Sequence, residues 1–160
     1  MKFIHDLMYR YMGLGVLIVL CSVSPTTFAA QSVIVKNAWA RATAPGQATA
    51  GVYLEIVSNA DAALVAAASP LAKSAEIHAM RTEGGVMKMR AVSKIELPAH
   101  KTVKLAPGVL HVMLVGIKQP LREKEKVPLE LTIEGSGGSK STVRVEAEVR
   151  PLTATREHAH

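Results

Sequence analysis

Within Ser141-Thr-Val-Arg-Val-Glu-Ala-Glu-Val149, polar and apolar residues alternate without a break from Thr142 onward. Successive side chains of an extended strand point to opposite faces. Val143, Val145, Ala147 and Val149 therefore share one face, and Arg144, Glu146 and Glu148 share the other. One apolar and one charged face describe a strand of an antiparallel sheet with one side on a core. Gly135-Ser-Gly-Gly-Ser139, just before it, reads as a hairpin connection to a candidate strand at 127–134. Further candidate strands lie at 51–58, 75–81, 86–92, 103–105 and 109–116. Ala44-Pro45-Gly46, Glu83-Gly84-Gly85 and Pro107-Gly108 mark turns between them. Short strands at this spacing predict an all-β sandwich or barrel. Residues 61–68 are Ala-rich and fit either a helical turn or a strand. There is no internal repeat and no interdomain linker, and residues 151–160 lack periodicity, which predicts a mobile tail.

The N-terminus has a different pattern. Lys2 and Arg10 precede the apolar run Met12-Gly-Leu-Gly-Val-Leu-Ile-Val-Leu-Cys21, and Thr27-Phe28-Ala29-Ala30 closes the segment. A basic region, a short apolar region and a small-residue site together describe a secretory signal peptide. A membrane span needs about 20 apolar residues, twice the length of this run. Cleavage after Ala29 is expected, giving a signal peptide at 1–29, a domain at 30–150 and a tail at 151–160. Lipid attachment at Cys21 is a weaker alternative, because Leu20 is large where a small residue is wanted.

Cleavage leaves 17 Lys and Arg against 12 Asp and Glu, a net charge of +5. It removes the single Cys, both Phe and two of three Tyr, so Trp39 and Tyr53 are the remaining aromatics apart from His. The cations are dispersed among acids and lack aromatic neighbours to stack on bases, which argues against nucleic-acid binding. No Gly-x-Ser-x-Gly, P-loop or paired-carboxylate pattern points to an enzyme.

Sulfur is concentrated in one place. All four Met beyond the signal, Met80, Met87, Met89 and Met113, fall within 34 residues. His78-Ala-Met80 and His111-Val-Met113 repeat a His-x-Met pattern there. On a strand, residues two apart share a face about 6.6 Å apart along the chain, near enough for two flexible side chains to meet at one ion. Glu83-Gly-Gly85 predicts a tight hairpin, which makes the strands carrying His78 and Met89 antiparallel neighbours. Imidazole with thioether, and no thiolate or carboxylate, is a soft donor set that favours Cu(I) over Zn, Mg or Ca.

These residues resemble the signature of the periplasmic copper chaperones of the PCuAC family: His, ten residues, Met, twenty-one residues, His-x-Met. His78, Met89 and His111-Val-Met113 fit it without a gap. Asn37-Ala-Trp-Ala-Arg41, Gly51-Val-Tyr-Leu54, Gly85-Val-Met-Lys-Met-Arg90 and Leu105-Ala-Pro-Gly108 are similar to the flanking segments, and the likeness spans about 33–149. The resemblance implies a cupredoxin-like Greek-key β-sandwich or barrel with Cu(I) bound by His78, Met89, His111 and Met113. It also implies a periplasmic carrier that supplies copper to the binuclear centre of cytochrome c oxidase, through its subunit II or another copper chaperone.

Met80 and Met87 are expected to shape an apolar rim rather than to ligate. His100 stands where the family usually has Gly and reads as a surface residue. His158 and His160 in the tail offer at most a weak Cu(II) site. A monomer without a membrane span is expected after cleavage. The competing readings are a general copper storage or resistance protein and a metal-free β-sandwich adhesion or assembly module. A blue-copper electron carrier needs a Cys thiolate, which the mature chain lacks.

Overall fold

The computed structural model describes residues 32–154. The segment expected to be a signal peptide, with Cys21, and the tail histidines His158 and His160 lie outside the described residues. Ten strands follow one another: β1 (Val33–Arg41), β2 (Thr49–Ser58), β3 (Ala62–Ala68), β4 (Ser74–Glu83), β5 (Val86–Ala91), β6 (Ile95–Leu97), β7 (Thr102–Leu105), β8 (Leu110–Val115), β9 (Lys126–Gly135) and β10 (Lys140–Arg150). No helix occurs among the described residues, so the all-β expectation holds.

Seven of the strands run in the order β4-β8-β2-β1-β10-β9-β3, and a β3–β4 contact at Ala67 and Ala75 closes the circuit. Closure removes the free edges that an open sheet would expose. β5, β6 and β7 are appended to β4, β3 and β2. Every pairing is antiparallel except β1 with β10, which joins the two ends of the domain.

β10 follows its sequence pattern: Ala147 and Val149 are buried, and Arg144, Glu146 and Glu148 are exposed. Its inward face meets Val127, Leu129, Leu131 and Ile133 of β9, Leu64 of β3, Leu54 and Ile56 of β2, and Val112 and Leu114 of β8. Each large side chain buried there contributes about 1.5–3 kcal/mol. Surface ion pairs such as Lys126–Glu146 (2.7 Å) and Arg144–Glu130 (2.8 Å) are exposed and screened by water and salt, so they contribute little. The apolar interior therefore outweighs the charged exterior in holding the sheet together.

The Ala-rich segment 61–68 resolves as strand β3, held by ladders to β9 and β6. Two strands have no counterpart in the sequence reading. β6 is three residues long, too short to show a period. β1 changes phase along its length. Lys36 pairs with Glu55, but the next pair is Trp39 with Tyr53, so β1 carries one extra residue at a bulge where Asn37 has φ 52°. Before the bulge Val33 and Val35 face inward, and after it Ala38 and Ala40 do. The shift puts Trp39 and Arg41 on the outer face. His100 is exposed, as expected, in a turn with φ 60°, a conformation that favours Gly.

Candidate metal centre

β4 is the hub of the site. Its inward residues Ile77 and Ala79 are buried in the core side of the sheet, so Glu76, His78 and Met80 share the opposite face. β8 lies antiparallel beside it, with His78 opposite His111 and Glu76 opposite Met113. Val112 and Leu114 fill the core from β8, which puts His111 and Met113 on the same outer face as His78. The two imidazole rings stand edge to face with centroids 5.5 Å apart. On the other side of β4 the hairpin forms as expected. Glu83 pairs with Val86, and Gly84 and Gly85 (φ 59° and 80°) supply the left-handed turn. That register sets Met89 opposite Met80, one step along the face from His78.

The structure thus brings together all four residues singled out in the sequence. A cavity of about 320 Å³ is lined by Met80, Met89, His111 and Met113 together with Arg41 and Tyr53. His78 adjoins His111 without lining the cavity itself. Exposure is graded across the group: His111 is 3% exposed and Met89 44%. Met80 lines the cavity, whereas Met87 is exposed, pairs with Thr82 and lies off the cavity wall.

The polar atoms of the two histidines are the unusual feature. His78 Nε2 donates to Glu76 Oε2 at 2.9 Å, since a carboxylate only accepts, and this leaves the Nδ1 lone pair free. That Nδ1 is buried with no hydrogen-bond partner, and so are both ring nitrogens of His111. A buried polar atom left unpaired costs about 1–3 kcal/mol. Three at one place are a poor way to stabilise a sheet, and they leave one free lone pair on each neutral ring. Burial, and after it the proximity of His78, pushes the His111 imidazole below its ordinary range. The neutral, electron-donating ring is therefore the resting form.

The sign of this shift sets a pH dependence. The unfolded chain protonates His111 near pH 6.5, while the folded chain resists until a lower pH. The stability linked to this ring is fully present above about pH 6.5 and is lost as pH falls through the folded value. In an NMR titration of the metal-free protein, the His111 ring resonances are expected to move below the ordinary imidazole range. A midpoint within or above that range would contradict the buried placement.

Three contributors were not singled out in the sequence reading. Tyr53 stacks on Trp39 (centroids 4.5 Å) and lies 6.1 Å from the His111 ring, forming an aromatic wall. The clue in the sequence is that these two are the only Trp and Tyr beyond residue 29. Arg41 lies in the family-like segment Asn37–Arg41 without an assigned role, and Glu76 carries no distinguishing signal. The wall also depends on Gly51, which pairs with Met113: a Cβ there would come within 2.6 Å of the Tyr53 hydroxyl. Tyr53 is buried and wedged beside Trp39, so it has little room to move. Gly51→Ala is expected to cost about 1–3 kcal/mol in urea denaturation, the usual range for overpacking. It should also change the environment of Trp39, read by fluorescence. An unchanged denaturation midpoint would show that the phenol moves freely.

Among the described residues, no group of three or more His, Cys, Asp or Glu could hold a metal ion. Hard divalent ions, which want oxygen or anionic donors, are poorly served. Two imidazoles with lone pairs free and two thioethers fit a soft monovalent ion.

Comparison with known proteins gives a consistent result. The family model described as "Putative lipoprotein LpqE-like" matches residues 33–149. The curated protein "Putative lipoprotein Lxx21020" of Leifsonia xyli subsp. xyli (strain CTCB07) is 36% identical over 117 residues, 72% of this chain and 69% of the relative. The solution structure of apo-DR1885 from Deinococcus radiodurans is 30% identical and superposes with a TM-score of 0.56, over 83% of this chain and 91% of that one. Its CuI form is 31% identical with a TM-score of 0.51, covering 76% of each chain. The copper-bound PCuAC domain from PmoF2, 22% identical over 74% of this chain and 93% of that one, shares the fold with a TM-score of 0.57.

Proposed function

Because the chain belongs to the LpqE-like family of PCuAC-type domains, we propose that it is a Cu(I) carrier of the cell envelope. The observation that carries this reading is the set of three buried, unpartnered imidazole nitrogens beside thioethers on facing strands. His78, through Nδ1, and His111 would supply nitrogen donors, and Met89 and Met113 sulfur donors. Glu76 holds the His78 ring in the tautomer that leaves Nδ1 available, a supporting contact of the kind common around metal-bound histidines. Neutral donors leave the charge of Cu(I) uncancelled, and the exposed Met89 gives one edge of the site to solvent. Both features favour hand-over to a partner rather than permanent storage. A relative solved with Cu(I) supports the choice of ion.

In this reading the protein is not an enzyme; copper is its cargo. The acceptor is a copper-site protein, either subunit II of cytochrome c oxidase or a second copper chaperone. The signal-like residues 1–29 support export to the periplasm, and the family description makes lipid attachment at Cys21 the competing form of envelope attachment. His158 and His160 add at most a weak Cu(II) site.

The test is competition against a Cu(I) chelator under reducing conditions, with thermal unfolding followed in parallel. One Cu(I) per chain is expected. Free Cu(I) at a hundred times Kd should stabilise the fold by about 2.7 kcal/mol. Unchanged unfolding in excess Cu(I) would favour a metal-free assembly module instead.

A further inference from the structure

Among the described residues, Arg41 is the one Lys or Arg on the cavity wall, which it shares with Met89, His111 and Met113. The bulge in β1 turns it to this face. Two contacts hold its guanidinium: Nη2 donates to the Ala154 carbonyl at 3.0 Å, and Cζ lies 6.0 Å from the centre of the Tyr53 ring. Its Nε is buried with no hydrogen-bond partner. None of the ion pairs among the described residues involves it. The acid nearest the ligand set, Glu76, is bound to His78 and its side chain is 46% exposed, so water screens it. An uncompensated guanidinium thus faces a cavity whose metal donors are all neutral.

We propose that Arg41 sets the charge selectivity of the site, rejecting divalent ions in favour of monovalent ones. This rests on the carrier reading above. Coulomb repulsion scales with the charge of the ion, so the guanidinium penalises a divalent ion twice as much, in free energy, as a monovalent ion at the same place. A neutral ligand set cannot make that distinction through its own charge. The same repulsion weakens Cu(I) binding moderately, which suits an ion that must be given up.

The proposal makes a quantitative statement. If Arg41→Gln raises Cu(I) affinity by some factor, it raises Cu(II) affinity by the square of that factor. At a partly buried position the monovalent factor is on the order of tenfold. The midpoint potential of the bound copper then falls by about 59 mV for each tenfold.

The experiment uses the full chain with His158 and His160 replaced by Ala, so that the tail takes up no divalent ion. Cu(I) and Ag(I) affinities are measured by chelator competition under reducing conditions, Cu(II) affinity in air, and the potential by redox titration. Arg41→Leu, which keeps an apolar stem against Tyr53, repeats the measurement should Arg41→Gln fold poorly. Arg41→Lys is expected to retain the parent's selectivity. Lys101→Gln makes the same change in net charge at the far end of β1, in the turn whose His100 N–H donates to the carbonyl of Ser58, the partner of Val33, and is expected to leave selectivity unchanged.

Equal gains for monovalent and divalent ions, or an equal effect from Lys101→Gln, would overturn the proposal while leaving the carrier reading intact. Failure of the parent chain to bind Cu(I) would overturn the carrier reading, and the role of Arg41 with it.

Discussion

The double variant His111→Ala, Met113→Leu is expected to bind Cu(I) at least a hundredfold more weakly than the parent while remaining folded. His111 contributes two of the three unpartnered buried nitrogens, and Met113 is the thioether two residues along the same face. Loss of an outer-shell contact at a metal site already costs about tenfold to a hundredfold in affinity, so loss of two direct donors should exceed that. Folding should survive, because neither side chain points into the interior and both His111 nitrogens lack partners in the metal-free fold. Chelator competition measures the affinity and urea denaturation the stability. Parent-like binding by the folded double variant would show that the ion is held elsewhere.

Leu114→Ala, one residue further along, should have the opposite effect. Leu114 is fully buried against the core, on the face of β8 opposite His111 and Met113. Truncating a buried Leu to Ala costs about 2–5 kcal/mol through lost burial and the cavity left behind. Small domains have about 5–15 kcal/mol in total, so the urea midpoint should fall markedly. The fraction that stays folded is expected to bind Cu(I) with parent affinity. One six-residue strand therefore separates the two properties: its odd-numbered positions from 111 to 113 serve the ion, and its even-numbered positions hold the fold. Loss of binding in folded Leu114→Ala would mean that the two faces are coupled through the backbone.

Legibility in the sequence followed how local the determining contacts are. β10 could be read because its alternation is unbroken from Thr142 to Val149 and its charged face meets solvent. The β4–β5 hairpin could be read because two glycines mark its turn and only a few residues separate its partners. Residues 61–68 were ambiguous because Ala suits helix and strand alike, and it was pairing with the distant β9 that made them a strand. The placement of His78 directly across from His111 arises from a ladder between segments 33 positions apart, which leaves no periodic trace in either. Their association before folding was known came from the family-like spacing of His78, Met89, His111 and Met113, not from the local pattern. Arg41 and Glu76 were hidden for a different reason: isolated charged residues on strands look like any solvated face until the neighbours are known.

The extra residue in β1 can be viewed as a shift of reading frame. A strand has two frames, inward and outward, and every residue belongs to one or the other by parity. Asn37 moves β1 from one frame to the other between Lys36 and Trp39. Deleting that single residue would restore strict alternation, turn Trp39 and Arg41 toward a tightly filled interior and expose Ala38 and Ala40. Substitution at Asn37 need do nothing of the kind, because the count of residues, not their identity, sets the frame. The cavity wall thus depends on the length of a segment that does not itself line the cavity.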